Sequence, residues 1–251
     1  MGDARRGGGA RPRLDGKVVV VAGAGGGMGT AVPALFGREG ARLLLVARRR
    51  EPLEALAAQL RAAGGEAEVC QADLTTSAGA EAMVRAAGQR FGRLDVLYNN
   101  LGDSAFSNLA PHETDEASWE YLRRINLDAA FLCSRAVLPV MLEQGSGAII
   151  HVAAAERVRL RANAGYAAAK AGLIELCRRL ARTYRERGIR VNCICPGGIG
   201  NDVDVAFDDP PPTLVRGAHP ADVAYAALYF ASDEAAWVTG QVLEIDGGRG
   251  L

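Results

Sequence analysis

Beyond Leu14 the chain alternates short, unbroken apolar runs with longer segments of helical period, and this alternation restricts the fold more than any other feature. The runs are "VVVVAGAG", "ARLLLVAR", "EAEVCQAD", "LDVLYNN", "GAIIHVAA", "IRVNCICPG" and "TGQVLEIDGG". Unbroken Val, Ile and Leu suit strands covered on both faces, and such strands are parallel. Parallel neighbours need right-handed crossovers, which the intervening segments supply. Helices are predicted over Gly29–Glu39, Pro52–Ala63, Ala78–Phe91, Glu116–Glu143 with a break or turn inside, Gly165–Arg187 and Ala221–Ser232. The expected fold is α/β, a doubly wound seven-stranded parallel sheet with helices on both faces. Ligands of such sheets bind beyond the carboxyl ends of the strands, where the strand order reverses.

A chain of 251 residues fits one domain of this kind, taken as residues 14–251 behind a disordered tail at 1–13. Twenty-nine basic residues balance 29 acidic ones, so no overall field favours nucleic acid or an anionic membrane, and a small molecule is the expected partner. No segment is read as a membrane span, and the start lacks the apolar run of a secretory signal. The five cysteines show no metal-ligand spacing, which suggests a reducing cytoplasm and no metal.

"VVVVAGAGGGMGT" runs from a strand into a helix through Gly23, Gly27 and Gly29, with Met28 between the last two. Glycines there allow a sharp turn and let a pyrophosphate approach the helix N-terminus, whose N–H groups and dipole attract anions. The arrangement is the dinucleotide-binding turn of a Rossmann fold. An acidic residue binding the ribose of NAD is expected at the end of the second strand. That place holds Ala47, followed by Arg48, whose guanidinium suits a 2′-phosphate, so NADP(H) is favoured over NAD(H).

Several stretches in order resemble the short-chain dehydrogenase/reductase family. The glycine spacing is similar to that family's TGxxxGxG turn, with Ala22 for the threonine. Asp73-Leu74 resembles its adenine-contacting pair, and "NNLG" with Asn100 resembles NNAG. Asn126 stands where the family has a catalytic helix asparagine, and "YAAAK" supplies Tyr166 and Lys170. "PGGIG", with Pro196, Gly197 and Ile199, resembles its cofactor-contacting turn, and the C-terminal stretch from His219 is similar throughout. The resemblance implies hydride transfer between a nicotinamide and a carbonyl/alcohol or C=N substrate. Tyr166 would exchange the proton, Lys170 would hold the nicotinamide ribose, and Asn126 would anchor a water in a proton relay. On a helix, residues four apart share a face, so Tyr166 and Lys170 point into one space, and the cation is expected to stabilise the phenolate.

The resemblance also implies a serine near the end of the fifth strand that holds the substrate oxygen. Ala154 occupies that position, or Ala153 if the next loop is gapped differently. Losing such a donor costs about 2.7–4 kcal/mol of transition-state stabilisation. Ser104, Ser107 and His151 are the substitutes nearest in sequence, with His151 on the face opposite Ala154's neighbour. Two alternatives to redox chemistry follow: cyclisation, dehydration or isomerisation on the same fold, or a nucleotide-binding subunit without turnover.

Arg157, Arg159 and Arg161 alternate in the loop before Tyr166, where they either grip a carboxylate or phosphate or are simply solvated; Arg159 is taken as a substrate residue with Ala153 and Ala154. Residues 198–218, interrupted by Pro210 to Pro212, are expected to form a short, open substrate lid. Asp208 and Asp209 read as loop solvation, and His112 and His219 as loop or helix-start residues. Apolar faces on the Glu116–Glu143 and Gly165–Arg187 segments suggest a homotetramer or homodimer.

Overall fold

The computed structural model describes residues 11–105, 109–199, 214 and 217–250. Seven strands form one sheet in the order β3-β2-β1-β4-β5-β6-β7. They are β1 (Val18–Ala22), β2 (Arg42–Ala47), β3 (Glu66–Gln71), β4 (Val96–Asn99), β5 (Gly147–Val152), β6 (Ile189–Pro196) and β7 (Val242–Ile245). All neighbours are parallel. The helices are α1 (Met28–Arg38), α2 (Arg50–Ala62), α3 (Ser77–Phe91), α4 (Glu116–Arg123), α5 (Ala129–Gln144), α6 (Glu156–Arg161), α7 (Ala164–Tyr184) and α8 (Pro220–Ala231).

Alternation along each strand splits the core in two. Val19 and Val21 face a cluster with Val32, Leu53 and Val223 from α1, α2 and α8. Val18, Val20 and Ala22 face another with Met83, Cys133 and Leu173 from α3, α5 and α7. Full burial of a Val or Leu contributes about 1.5–3 kcal/mol, so both faces must be covered for the central strands to hold. The order reverses between β1 and β4, and this opens the crevice in which the site lies.

Three features depart from the sequence-based expectation, and a fourth, the interruption of the long helix, is made specific. The outer strands β3 and β7 are not buried runs; Glu66 and Gln71 are exposed, and Leu243 is 39% exposed, because each has only one neighbour. The break in the long helix is one turn of π-helix, Arg124–Asp128. Arg157, Arg159 and Arg161 lie on a helix, α6, and not in a loop. Glu116–Gln144 is apolar enough to cross a membrane by length and composition, contrary to the reading that no segment is; half of its apolar window is buried, and α5 packs on α3, β4 and β5.

Of the stretch read as a tail, residues 1–10 lie outside the described residues. Arg13 is pinned, its backbone N–H donating to Glu39 Oε2 (2.8 Å) and its Nε to Glu234 Oε1 (2.9 Å). Most of the expected lid, including Asp208, Asp209 and Pro210 to Pro212, also lies outside them.

Candidate active site

The turn between β1 and α1 is dictated by backbone contact. Gly23 has φ +87°, and a Cβ there would sit 2.8 Å from Asn100 O. A Cβ on Gly29 would sit 2.5 Å from Gly23 O, well inside any real contact. Gly27 caps α1 with no side-chain hydrogen bond, leaving the positive helix end to whatever lies before it. That space is a cleft of about 570 Å³, bordered by Gly23 and three other predicted cofactor contacts, Asp73, Leu74 and Asn100, together with the exposed Arg48. Gly27, Met28 and Gly29 do not line it; they build the start of α1, with Met28 partly buried against the core.

Asp73 Oδ1 accepts from Thr75 Oγ1 (2.7 Å) and Thr75 N (3.0 Å). These bonds hold its carboxyl below the usual range, with Arg48 and Arg124 adding to the effect and burial opposing it. The Arg48 charge also reaches Tyr121, whose hydroxyl donates to Asp103 Oδ2 at 2.6 Å. Pro196, Gly197 and Ile199 belong to the other end of the site. They follow or end β6, three strands from β1, and Pro196 O accepts from Ala155 N at 2.9 Å.

Tyr166 and Lys170 stand on the first turns of α7, which Asn163 caps by accepting from Tyr166 N at 2.8 Å. Lys170 is buried, and its Nζ donates to Val152 O (2.9 Å) and Leu101 O (3.0 Å), tying the end of β5 to the segment after β4. Burial lowers its pKa to about 8, against the opposing influence of Cys193 and Cys195. Its Nζ lies 5.8 Å from the centre of the Tyr166 ring. Burial raises the Tyr166 phenol above the usual range, Cys195 raises it further, and Arg159 pulls it down. Arg159 is thus a cation that favours the phenolate, and the Lys170 ammonium stands close to the same ring while donating to two carbonyls.

Asn126 is brought inward by the π-turn and is 1% exposed. Its Nδ2 donates to Asp103 O (2.8 Å) and Leu122 O (2.9 Å), and its Oδ1 accepts from Asp103 N at 3.2 Å. It therefore braces the chain after β4. Gly102 completes this contact: a Cβ there would lie 2.9 Å from both Asn126 Oδ1 and Lys170 Nζ. Only the glycine of "NNLG" hinted at its role.

The alanines at the end of β5 divide. Ala153 and Ala154 are buried and do not line the space beside Tyr166, whereas Ala155 does. Arg159 folds back so that its Nη1 donates to Ala154 O, and it too is absent from the lining. The cavity beside Tyr166, about 470 Å³, is bordered by Ser104, Ala155, Arg157, Arg161, Gly197, Asp246 and Arg249. Asp246 and Arg249 were not singled out as site residues in the sequence, and they reach the cavity from the segment after β7. Ser104 is the hydroxyl the fold supplies. Ser107 lies outside the described residues. His151 is fully buried, its Nε2 lies 3.3 Å from Ser134 Oγ, and burial with help from Lys170 lowers its pKa to about 3. It is a neutral core residue and not a donor to the site.

Comparison with known proteins accords with this geometry. The family model described as short chain dehydrogenase matches residues 17–210. The chain is 34% identical to 2-(S)-hydroxypropyl-CoM dehydrogenase 3 of Xanthobacter autotrophicus, covering 94% of this chain and 97% of that protein. Among solved structures, levodione reductase superposes with a TM-score of 0.85 at 35% identity, covering 95% of this chain and 99% of that one. A 7α-hydroxysteroid dehydrogenase complexed with NADH and 7-oxo glycochenodeoxycholic acid gives a TM-score of 0.83 at 28% identity, covering 95% and 96%.

Proposed function

The chain belongs to the short-chain dehydrogenase/reductase family, an oxidoreductase fold that binds a nicotinamide cofactor, and from that premise we propose an NADP(H)-dependent enzyme interconverting a small carbonyl compound and its alcohol. The observation that carries the reading is Tyr166, the phenol bordering a cavity, one helical turn from buried Lys170.

The residues suit a dinucleotide. The turn admits no side chain at Gly23 or Gly29, the α1 N-terminus is free of a side-chain cap, and Asp73 with Asn100 borders the cleft. Arg48, with no acid at Ala47, favours a 2′-phosphate. When bound, the nicotinamide supplies or takes the hydride at the substrate carbon. In reduction Tyr166 gives its proton to the carbonyl oxygen as the C=O π bond becomes C–H and O–H; in oxidation it accepts that proton. Lys170 ties the end of β5 to the segment after β4 and would hold the ribose of a bound nicotinamide, and Asn126 fixes the backbone at Asp103.

Ala153 and Ala154 place no hydroxyl at the end of β5, which favours a second reading in which the fold performs non-redox chemistry or none. Two groups on this chain offset that loss: the Ser104 hydroxyl at the cavity wall, and the Arg159 guanidinium, held at Ala154 O, which favours the Tyr166 anion. Exposed Trp119 and Phe131 on α4 and α5 support assembly as a homodimer or homotetramer.

The test is Tyr166→Phe, assayed by NADPH oxidation on a panel of ketones and keto acids and by NADPH titration. Turnover falls about 10²–10⁴-fold while NADPH affinity stays within about twofold. Wild-type protein that binds NADPH but turns over no carbonyl or alcohol overturns the redox reading, and indifference to the phenylalanine overturns the role of the phenol.

A further inference from the structure

We propose that the cavity beside Tyr166 is built for a substrate bearing an anionic group, a carboxylate or a phosphate-like group, which Arg157 and Arg161 grip while the reacting carbon faces the phenol. The proposal rests on the oxidoreductase reading for the chemistry but not for the binding.

Residues four apart on α6 share a face, and Arg157 and Arg161 both border the cavity, whereas Arg159 between them turns under to Ala154 O. Several surface arginines of this protein are paired: Arg42 with Glu66, Arg50 with Glu54, Arg93 with Asp95, Arg123 with Asp128. Among the described residues Arg157 and Arg161 make no ion pair. The polar contact of Arg157 is Nη1 donating to Arg249 O at 3.3 Å, a backbone atom. Arg249 itself borders the same cavity, adding a third guanidinium.

The carboxylates nearby do not neutralise the pair. Asp246 borders the cavity, but its Oδ1 accepts from Gly248 N at 2.9 Å and its Oδ2 is buried. Glu244 accepts from Glu156 N at 3.0 Å. Among the described residues, Arg157 and Arg161 without ion pairs leave this side of the cavity positive. Guanidinium forks matched to carboxylate or phosphate oxygens supply both strength and orientation. Ala155, Val158 and Ala162 form the apolar part of the wall, which suits a short carbon chain between anion and carbonyl.

The experiment uses matched pairs that differ chiefly in charge, the esters adding one or two methyl groups: 4-oxopentanoate against its methyl ester, and 2-oxopropylphosphonate against its dimethyl ester. Each is assayed for turnover with NADPH and for binding to the NADPH-saturated protein by calorimetry. The expected result is that an anion is preferred to its ester, and that Arg157→Gln/Arg161→Gln lowers its kcat/KM about 100-fold, chiefly through KM, with the ester changed less than about twofold. Binding of an anion that depends on the two arginines, without turnover of any compound, supports the anion site and overturns the redox reading alone. Turnover of the esters as good as that of the anions overturns the anion site and leaves the redox reading standing. Absence of anion binding and turnover, or anion binding indifferent to the double substitution, also overturns the anion site.

Discussion

The cleft before α1 and the cavity beside Tyr166 are two halves of one crevice built by different means. The cleft is a product of backbone contact: Gly23 and Gly29 stand where any Cβ would meet a carbonyl oxygen, so the chain has no freedom in residue type. The cavity is a product of side-chain direction. Its guanidiniums come from a helix of six residues and from Arg249, two residues before the chain's end, and Ala155 and Gly197 only leave room for them. A constraint on the backbone is written into residue identity, whereas a constraint on side-chain direction appears only once the local structure is known. The cofactor half of the crevice is accordingly rigid in sequence, and the substrate half is free to vary.

Substitutions in the cleft should therefore be the more damaging. Gly29→Ala places a methyl group 2.5 Å from Gly23 O, so the turn must open. Overpacking of this kind costs about 1–3 kcal/mol in stability, and NADPH affinity should fall about 100-fold or more by fluorescence titration. An alanine variant that binds NADPH normally breaks the comparison, because the turn would then tolerate a side chain. Arg48→Ala is the milder change at the same cleft, since Arg48 is exposed and shapes no backbone. Removing a charged hydrogen-bond partner of the 2′-phosphate should weaken NADPH about 10–100-fold and leave NADH within about twofold. Equal loss of both cofactors would remove Arg48 from the 2′-phosphate and undo the NADP preference.

The same distinction explains what could be read in the sequence. All seven strands were legible because apolar runs separated by crossover helices leave few arrangements, whereas the place of the reversal, between β1 and β4, came only with the strand order. The glycine turn and the YAAAK pair were legible because spacing alone places them. The π-turn at Arg124–Asp128 was visible only as a break, and no pattern showed that it would turn Asn126 to the backbone of Asp103. Arg157, Arg159 and Arg161 illustrate the limit most clearly. In an extended loop, residues two apart share a face and all three would point one way; on α6 the middle one points away from the other two. Reading a loop there made Arg159 the substrate residue, when the helix puts Arg157 and Arg161 at the cavity. Asp246 and Arg249 were not singled out because their place depends on the path of the segment after β7.

Lys170 lines neither half but lies between them, bonded to Leu101 of the cleft and one helical turn from Tyr166 of the cavity, and its protonation offers the smallest but most direct test of how they are joined. Its pKa in the fold is about 8, lowered by burial from the ordinary lysine value of 10.5. Between those two values the unfolded chain carries the proton more fully than the folded one, so folding releases protons and stability rises with pH. The contribution is complete above 10.5, falls as pH drops, and is fully lost below about 8. The buried thiols act in the opposite sense: Cys133, Cys193 and Cys195 are all raised above 9.0, so the unfolded thiolates erode stability once pH passes that value. Tyr166, raised above 10.0, adds to the erosion at higher pH. The difference between wild type and Lys170→Met isolates the lysine. Denaturant unfolding from pH 8 to 9 should show wild-type stability rising relative to the variant by at most about 1.4 kcal/mol per pH unit. The methionine also leaves Val152 O and Leu101 O without their donor, a penalty independent of pH that shifts the variant's curve without changing its slope. Parallel curves would mean that the Lys170 ammonium is held at little cost by those two carbonyls, and that the joint between cleft and cavity is an ordinary charged hydrogen-bond bridge.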